Sequence, residues 1–490
     1  MKKLLRLLLK AALFALLIIA AIVAFNTVNF TSKQLNIAAV EKPLVEEAAL
    51  ERLSAVIQMP TVSFPERIDT FAFEQFREYV DTQFVLVDSL LERSLVNEYS
   101  LLYKWQGKNQ KLKPILLMGH IDVVPVNDQQ EKQWEQPPFS GLVKDGYVWG
   151  RGSLDDKVSI MAVLEAFELL LEKDYQPERT VYLACGHDEE VGGQKGAQAI
   201  ARRLEQQGVQ LEYVLDEGSV VVTDALNGLD APAALIGIAE KGYATLTLSV
   251  SLPEGGHSSM PPAASAIGLL SNAISKISNQ PFPANMNGPV RPLLEQLGPE
   301  MRMPFKAVFA NLWLFKGIVR QQLAASPSSN AMLRTTTAPT VIQGGFKENV
   351  LPTDASAKIN FRILPGETIA TTIERVKAIV ADDRVEVFKE DAQFSADPSP
   401  VSSEEAFGFQ VIQKTSKEIF PRAVAVPSLV IAGTDSRHYQ AVSDNIYRFM
   451  PTELTKEDLR RIHGFNERIS VEAYKDMICF YHQLILNSTK

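Results

Sequence analysis

The sequence predicts an α/β protein with a largely parallel central sheet, an inserted α+β unit of ferredoxin-like order, and an N-terminal membrane-anchor helix. Three observations predict this. Short, wholly apolar runs alternate with amphipathic helical segments and end in acidic or histidine residues. The apolar spacing changes near residue 241 from continuous runs to strict alternation. An uncharged apolar run follows four basic residues at the start of the chain.

Composition sets the bounds. A chain of 490 residues is too long for one small core and divides into two or three domains. With 46% hydrophobic and 22% charged residues it folds and is not mainly disordered. It carries 49 Lys and Arg against 58 Asp and Glu, a net charge of −9, which argues against a nucleic-acid partner. Two cysteines exclude a disulfide scaffold and a cysteine-rich zinc module. Cys185 and Cys479 each sit in an apolar run and read as buried free thiols.

At the amino end, Lys2, Lys3, Arg6 and Lys10 precede the run Ala11 to Phe25. With Leu7 to Leu9 added and Lys10 snorkelling, the run approaches the ~20 residues that a span needs. The basic flank keeps the amino side cytoplasmic. No Ala-x-Ala pattern follows, so the reading is an uncleaved signal anchor with the remainder exoplasmic, periplasmic or luminal; a cleaved signal peptide and secretion are the alternative.

Residues 43–93 read as helical with a loop near Pro60 to Pro65. The runs 114–119, 180–185 and 211–215 read as buried strands, with helices at 158–171 and 196–207. From Tyr243 to Val250 the alternation marks a half-exposed strand. A helix at 263–277, strands at 340–343 and 355–363, a helix at 368–380 and a strand at 384–388 complete a β-α-β-β-α-β order. Residues 281–332, rich in Pro, Met and aromatics, interrupt it as a mostly helical insertion. A helix at 404–420, a strand at 425–431 and a closing helix at 471–486 return to the first style. The expected division is 1–30 for the anchor, 40–240 and 394–490 for the larger domain, and 241–393 for the inserted one.

The chemistry lies where the apolar runs end. The first runs into His120-Ile-Asp122, the second into His187-Asp-Glu189-Glu190, the third into Asp216-Glu217. Ligands of open α/β sheets bind at the carboxyl ends of the strands, so parallel neighbours would bring these groups to one rim. Carboxylates gathered with histidine need a positive partner, and a divalent metal is the simplest, with an N/O set that suits zinc. Asp122 stands two residues from His120 on extended chain and can fix its tautomer. The adjacent Glu189 and Glu190 diverge, so one can bind metal while the other acts as general base. Gly150-Arg-Gly-Ser-Leu-Asp155-Asp156-Lys157 is neither a Rossmann fingerprint nor a P-loop, and it leads a carboxylate into a helix. No Gly-x-Ser-x-Gly elbow occurs, which argues against a serine hydrolase.

These segments resemble the dizinc metallopeptidases that include carboxypeptidase S, aminoacylase and succinyl-diaminopimelate desuccinylase. The resemblance rests on Met-Gly-His120-Ile-Asp122-Val-Val-Pro, Trp134 to Gly141, Gly150 to Lys157, His187-Asp-Glu189-Glu190-Val-Gly-Gly, Leu215-Asp216-Glu217-Gly, Gly433-Thr-Asp-Ser-Arg437 and Ile462-His463-Gly-Phe-Asn-Glu467, in family order. The anchor and the long insertion are most similar to carboxypeptidase S and the secreted N-fatty-acyl amino acid synthase/hydrolases. The resemblance implies a hydrolase that releases an amino acid from a peptide or N-acyl amino acid, with two zinc ions per subunit, or cobalt or manganese in their place. His120 and His463 would each bind one ion. Asp155 would bridge both, often with a cis peptide to Asp156. Glu190 would ligate one ion and Asp216 the other, with Glu217 the alternative. Asp122 would orient His120, and Glu189 would serve as general base. The inserted domain would act as a lid and as a site of homodimerisation. From it, His257 in Gly-Gly-His-Ser-Ser would polarise the substrate carbonyl. Arg362, Arg437 and Asn349 are candidates for binding the substrate carboxylate. One departure is that Val158, where relatives often carry glycine, follows Asp156-Lys157, and it is expected to affect helix packing.

Overall fold

The computed structural model describes residues 1–224, 227–390 and 394–490. A ten-stranded sheet organises the larger part of the chain. Its middle is Ile446–Arg448, Tyr213–Asp216, Ile115–His120 and Val181–Gly186, neighbours in that order and parallel throughout. These strands are apolar and buried on both faces, which is what unbroken runs such as Ile-Leu-Leu-Met require. The register sets His120 opposite Gly186, so the ends of the first two runs lie side by side.

The expectation of a largely parallel sheet holds only for this middle. The sheet is mixed. Ser100–Trp105 and Glu92–Val96 add an antiparallel hairpin at one side, and Ala233–Glu240 pairs antiparallel with Val221–Val222 at the other. The first two residues of the hairpin fall in the segment, up to residue 93, that was expected to be helical. Its turn places both Asn97 (φ 47°) and Glu98 (φ 72°) in the left-handed region, the geometry of a type I′ turn. Glutamate in place of glycine at the second position hides that turn from the sequence. The expected loop near Pro60 contains a small ribbon of its own, Ser63–Phe64 with Arg67–Ile68.

Helices cover both faces. Lys157–Leu171, Phe407–Ile419 and Val471–Ser488 pack on one, Ala197–Gln206 on the other. The helix Lys157–Leu171 is apolar almost all round and almost wholly buried, Val158 included. It is clamped from outside by Arg52 of the helix Glu47–Ile57, whose Nε and Nη2 donate to the two oxygens of Glu165, each at 2.6 Å. Cys185 and Cys479 are buried free thiols, as expected.

A second, antiparallel sheet runs Thr336–Gly344, Asp354–Ile363, Gly242–Ser251, Glu386–Lys389. Ala266–Asn279 and Ile369–Val380 lie against it, around a core that includes Leu246, Leu248, Ile359 and Phe361. Strand order and connectivity are those of the β-α-β-β-α-β pattern. The domain end expected at 393 lies outside the described residues. Residues 281–332 form the helices Val290–Leu297, Phe305–Ala310, Leu312–Ala324 and Pro327–Leu333 and pack against the strand Val424–Val430. The N-terminal helix spans Lys2–Asn29 with none of its residues buried.

Removing one partner of a buried ion pair strands the other charge. Arg52→Met should therefore destabilise the fold by roughly 3–5 kcal/mol, read as a lowered melting temperature. Glu165→Leu combined with it should recover most of that loss.

Candidate metal centre

Asp155 lies between two imidazoles. Its Oδ1 is 3.0 Å from Nε2 of His120, and its Oδ2 is 3.0 Å from Nε2 of His463. The same His463 nitrogen is 3.2 Å from Oε1 of Glu190. His120 ends a central strand, Asp155 ends the glycine-rich loop, Glu190 follows the Val181–Gly186 strand, and His463 comes from a loop near the carboxyl end. The Asp155–Asp156 peptide is cis.

Two buried carboxylates brace this arrangement. Asp122 is fully buried and accepts from Ser63 Oγ at 2.5 Å and from the backbone N–H groups of Glu189 and Glu190, each at 3.1 Å. His120 Nδ1 lies 3.0 Å from the Asp122 carbonyl and 3.3 Å from its carboxylate, so one residue orients the imidazole and anchors the Glu189-Glu190 turn. Glu467 is also fully buried. Its Oε1 accepts from the N–H groups of Gly152 and Leu154 at 2.9 Å and of Asp155 at 3.3 Å, and its Oε2 pairs with Arg151. Arg151 donates onward to the Gly464 carbonyl at 2.9 Å and lies over the Trp134 ring. Glu467 thus ties the Asp155 loop to the His463 loop. Behind His120, Asp156 Oδ2 accepts from the His120 N–H at 3.3 Å, and a Cβ on Gly119 would sit 2.3 Å from that oxygen. Only glycine leaves room for it.

Asp216 and Glu217 part company. Asp216 accepts from the N–H of Ser436 and of Glu217, each at 2.9 Å, one on each oxygen. The Glu217 carboxylate makes no hydrogen bond among the described residues, and its charged neighbours are Asp155, Asp216, Asp156 and Glu189. His187 and Asp188 are structural. His187 shares a hydrogen bond with Ser100 at 2.6 Å and packs edge-on to Phe73 and Tyr99, while Asp188 caps the N–H groups of Lys195 and Gly196.

The electrostatics call for cations. Burial, then the charges of Asp435, Glu190 and Asp155, push Glu189 well above the usual carboxylate range against the pull of His120. Burial and neighbouring carboxylates do the same to Glu217, and Glu190 is also raised. Hydrogen bonds to Asp155 and Glu190 raise His463 to about 10, and His120 is raised well above its ordinary value by Asp122 and Asp155 despite its burial. Asp435, buried beneath the site, has no hydrogen-bond partner on either oxygen among the described residues, and burial raises it well above the carboxylate range. A Cβ on Gly193 would lie 1.8 Å from Asp435 Oδ1.

The donor set fits metal. Ligand atoms of His120, Asp155 and Glu190 lie within 4.8 Å of one another. Ligands of a tetrahedral zinc, about 2.0–2.1 Å from the ion, stand roughly 3.3 Å apart, close to the spacings around Asp155.

Arg362 and Arg437 also meet, through aromatic rings. Arg362 lies over Tyr243 at 4.7 Å, Tyr243 lies 6.2 Å from Phe394, and Arg437 lies over Phe394 at 5.9 Å. Arg437 Nη2 donates to the Gly192 carbonyl at 3.0 Å, just past the Glu189-Glu190 turn. Burial, and then Arg437, lowers the Arg362 pKa. His257 and Asn349 are not brought to this cluster. They flank one another on an exposed ribbon, where Ser258 N–H donates to the Asn349 carbonyl at 3.2 Å and His257 Nδ1 is 2.8 Å from Ser259 Oγ.

Residues 116–487 match the sequence profile of Peptidase family M20/M25/M40. The chain belongs to this family. It is 43% identical over 446 residues to the N-fatty-acyl-amino acid synthase/hydrolase PM20D1 of Xenopus tropicalis, covering 90% of this chain and 85% of that one. It is 40% identical over 485 residues to the probable carboxypeptidase S-like 2 of Dictyostelium discoideum, covering 96% and 92%. Among solved structures, the M20 family metallo-carboxypeptidase Sso-CP2 of Sulfolobus solfataricus superposes with a TM-score of 0.67 at 16% identity, covering 90% of this chain and 99% of that one. Human carnosine dipeptidase 1 superposes with a TM-score of 0.60 at 13% identity, covering 92% and 100%. The chain is accordingly a metallopeptidase or amidohydrolase of a family that includes a dinuclear metal-binding peptidase from Bacillus subtilis.

Sequence reasoning left Glu467 and Arg151 without roles and gave Asp156 only its peptide bond to Asp155, although all three stand in the quoted motifs. The signal for Glu467 was its place four residues after His463. Metal ligands bind deprotonated, so metal and proton compete here. In the metal-free protein the raised His463 pKa contributes stability that is full below about pH 6.5 and is lost as pH rises through about 10. Zinc affinity of the metal-free protein should therefore rise with pH across that window, with net proton release in titration calorimetry run in buffers of different ionisation enthalpy.

Proposed function

We propose that this protein hydrolyses the amide bond of a peptide or N-acyl amino acid and frees the amino acid, using two zinc ions and Glu189 as general base. The observation that carries the reading is Asp155 set between His120 and His463, with Glu190 completing one side and Glu189 next to it in the chain. His120, Asp155 and Glu217 would hold one ion and His463, Asp155 and Glu190 the other. Glu217 is preferred to Asp216 because its carboxylate makes no hydrogen bond among the described residues, whereas each Asp216 oxygen accepts one backbone N–H. The cations supply Lewis acidity that polarises an amide carbonyl and acidifies water.

The chain's own groups do the rest. Asp122 holds the His120 ring and the Glu189 backbone in fixed relation, so the base needs little reorganisation. Glu189 takes a proton from the attacking water and returns it to the departing amine. The raised pKa of Glu189 suits a group that must hold a proton briefly. Arg362 and Arg437, kept close by the rings between them, bind the substrate carboxylate. The 43% identity to an N-fatty-acyl-amino acid synthase/hydrolase favours an acyl amino acid over a short peptide. In this reading residues 1–30 anchor the chain, 40–240 and 394–490 form the catalytic domain on the exoplasmic side, and 241–393 form the lid.

Glu189→Gln should reduce turnover by about 10²–10⁴-fold while metal analysis still finds two ions per chain; full activity in that variant would end the base assignment. Arg362→Ala and Arg437→Ala should each raise KM about 10–100-fold, the loss of a charged hydrogen bond, for an N-acyl amino acid. Neither should change KM for its amide, which lacks the carboxylate.

A further inference from the structure

The helix Leu312–Ala324 is apolar on two sides. Leu312, Phe315, Val319 and Leu323 face the insertion's own core. On the other side Trp313 is 57% exposed, Leu314 43% and Ile318 59%. A second apolar stripe left exposed on a helix, edged here by Lys316 and Arg320, marks a surface that meets a partner. Met303 and Phe305, one element earlier, are exposed as well.

Two independent observations identify the partner. The first is position. Asn311, immediately ahead of this helix, is locked to the end of the N-terminal helix. Asn26 Nδ2 donates to Asn311 Oδ1 at 2.9 Å, and Asn311 Nδ2 donates to the Val23 carbonyl at 3.2 Å. Phe30 lies so close beneath the insertion that a Cβ on Gly298 would come 2.7 Å from its ring. The N-terminal helix has 28 residues and is long and apolar enough to span. At 1.5 Å per residue it extends about 42 Å, beyond a hydrocarbon core of about 30 Å. Its basic residues are all at the amino end, so Val23 to Asn29 emerge at the opposite interface. The second observation is charge. Within the insertion, residues 281–332, Arg291, Arg302, Lys306, Lys316 and Arg320 outnumber Glu295 and Glu300, in a chain whose net charge is −9.

We infer that the insertion is a membrane seat: Trp313, Leu314 and Ile318 enter the interfacial layer of the bilayer while Lys316 and Arg320 reach the lipid phosphates. Tryptophan and basic side chains at the headgroup level are the usual constituents of such a surface. The inference rests on the reading of residues 1–30 as an uncleaved anchor. The protein is then fixed to the lipid at two places, and its insertion, the part most distinct from the sheets, is the part that meets amphiphiles.

The test uses the full-length chain in lipid nanodiscs of phosphatidylcholine and phosphatidylglycerol, with and without dibrominated phosphatidylcholine as a contact quencher. Trp105 and Trp149 are buried. Tryptophan emission should be quenched by the brominated lipid, and Trp313→Phe should cut the quenched emission at least twofold. Ile318→Glu, a change at an exposed position, should shift Trp313 emission to the red and reduce its quenching similarly, with hydrolytic activity confirming that both variants fold. Quenching unchanged by Trp313→Phe, in chains that co-elute with the discs, would overturn the seat and leave the anchor standing. Chains that elute apart from the discs would overturn both, and hydrolysis by those chains would leave the catalytic reading untouched.

Discussion

Like charges held close in a partly buried cluster are the constraint that everything else serves. Two unit charges 4 Å apart interact by about 4 kcal/mol at an effective dielectric of about 20. Asp155, Glu189, Glu190 and Glu217 stand together at one rim with two imidazoles among them. Without cations such a group resolves its repulsion by taking up protons, which is the direction in which Glu189, Glu190 and Glu217 are shifted. With cations the same geometry becomes a binding site. The parallel middle of the sheet matters because it delivers the ends of neighbouring strands to that rim.

Repulsion alone would scatter these side chains, so their positions must be enforced. Asp122 and Glu467 do this from opposite sides of the centre. Each is a fully buried carboxylate that accepts two or more backbone N–H groups, and each fixes a turn that carries members of the cluster. Asp122 serves His120 and the two glutamates. Glu467 serves Asp155 and, through Arg151, the loop of His463. Neither has to touch a substrate to matter. Asp156 plays the same part behind His120, in a space that only a glycine at 119 leaves open.

Much of this was legible in the sequence because the information is local. His120, Glu189 and Asp216-Glu217 each end an apolar run, and a run too apolar to face water must be a buried strand with its end at an edge. The mixed character of the sheet was not legible. The Asn97-Glu98 turn lacks its glycine, and the antiparallel pairing of Gly237 with Arg448 joins positions more than 200 residues apart. That the Ser436 N–H bonds to Asp216 and not to the adjacent Glu217 is a tertiary fact that no spacing rule reports. The ladder from Arg362 through Tyr243 and Phe394 to Arg437 gathers four distant positions. His257 and Asn349, named through motif resemblance, stay on their exposed ribbon.

The clasp formed by Glu467 joins Asp155 across 312 positions of chain. A ribosome-bound nascent polypeptide that already contains the glycine-rich loop therefore still lacks the clasp and one of the two imidazoles until its last few dozen residues emerge. The order of synthesis itself therefore keeps the cluster incomplete until almost the whole chain has been made.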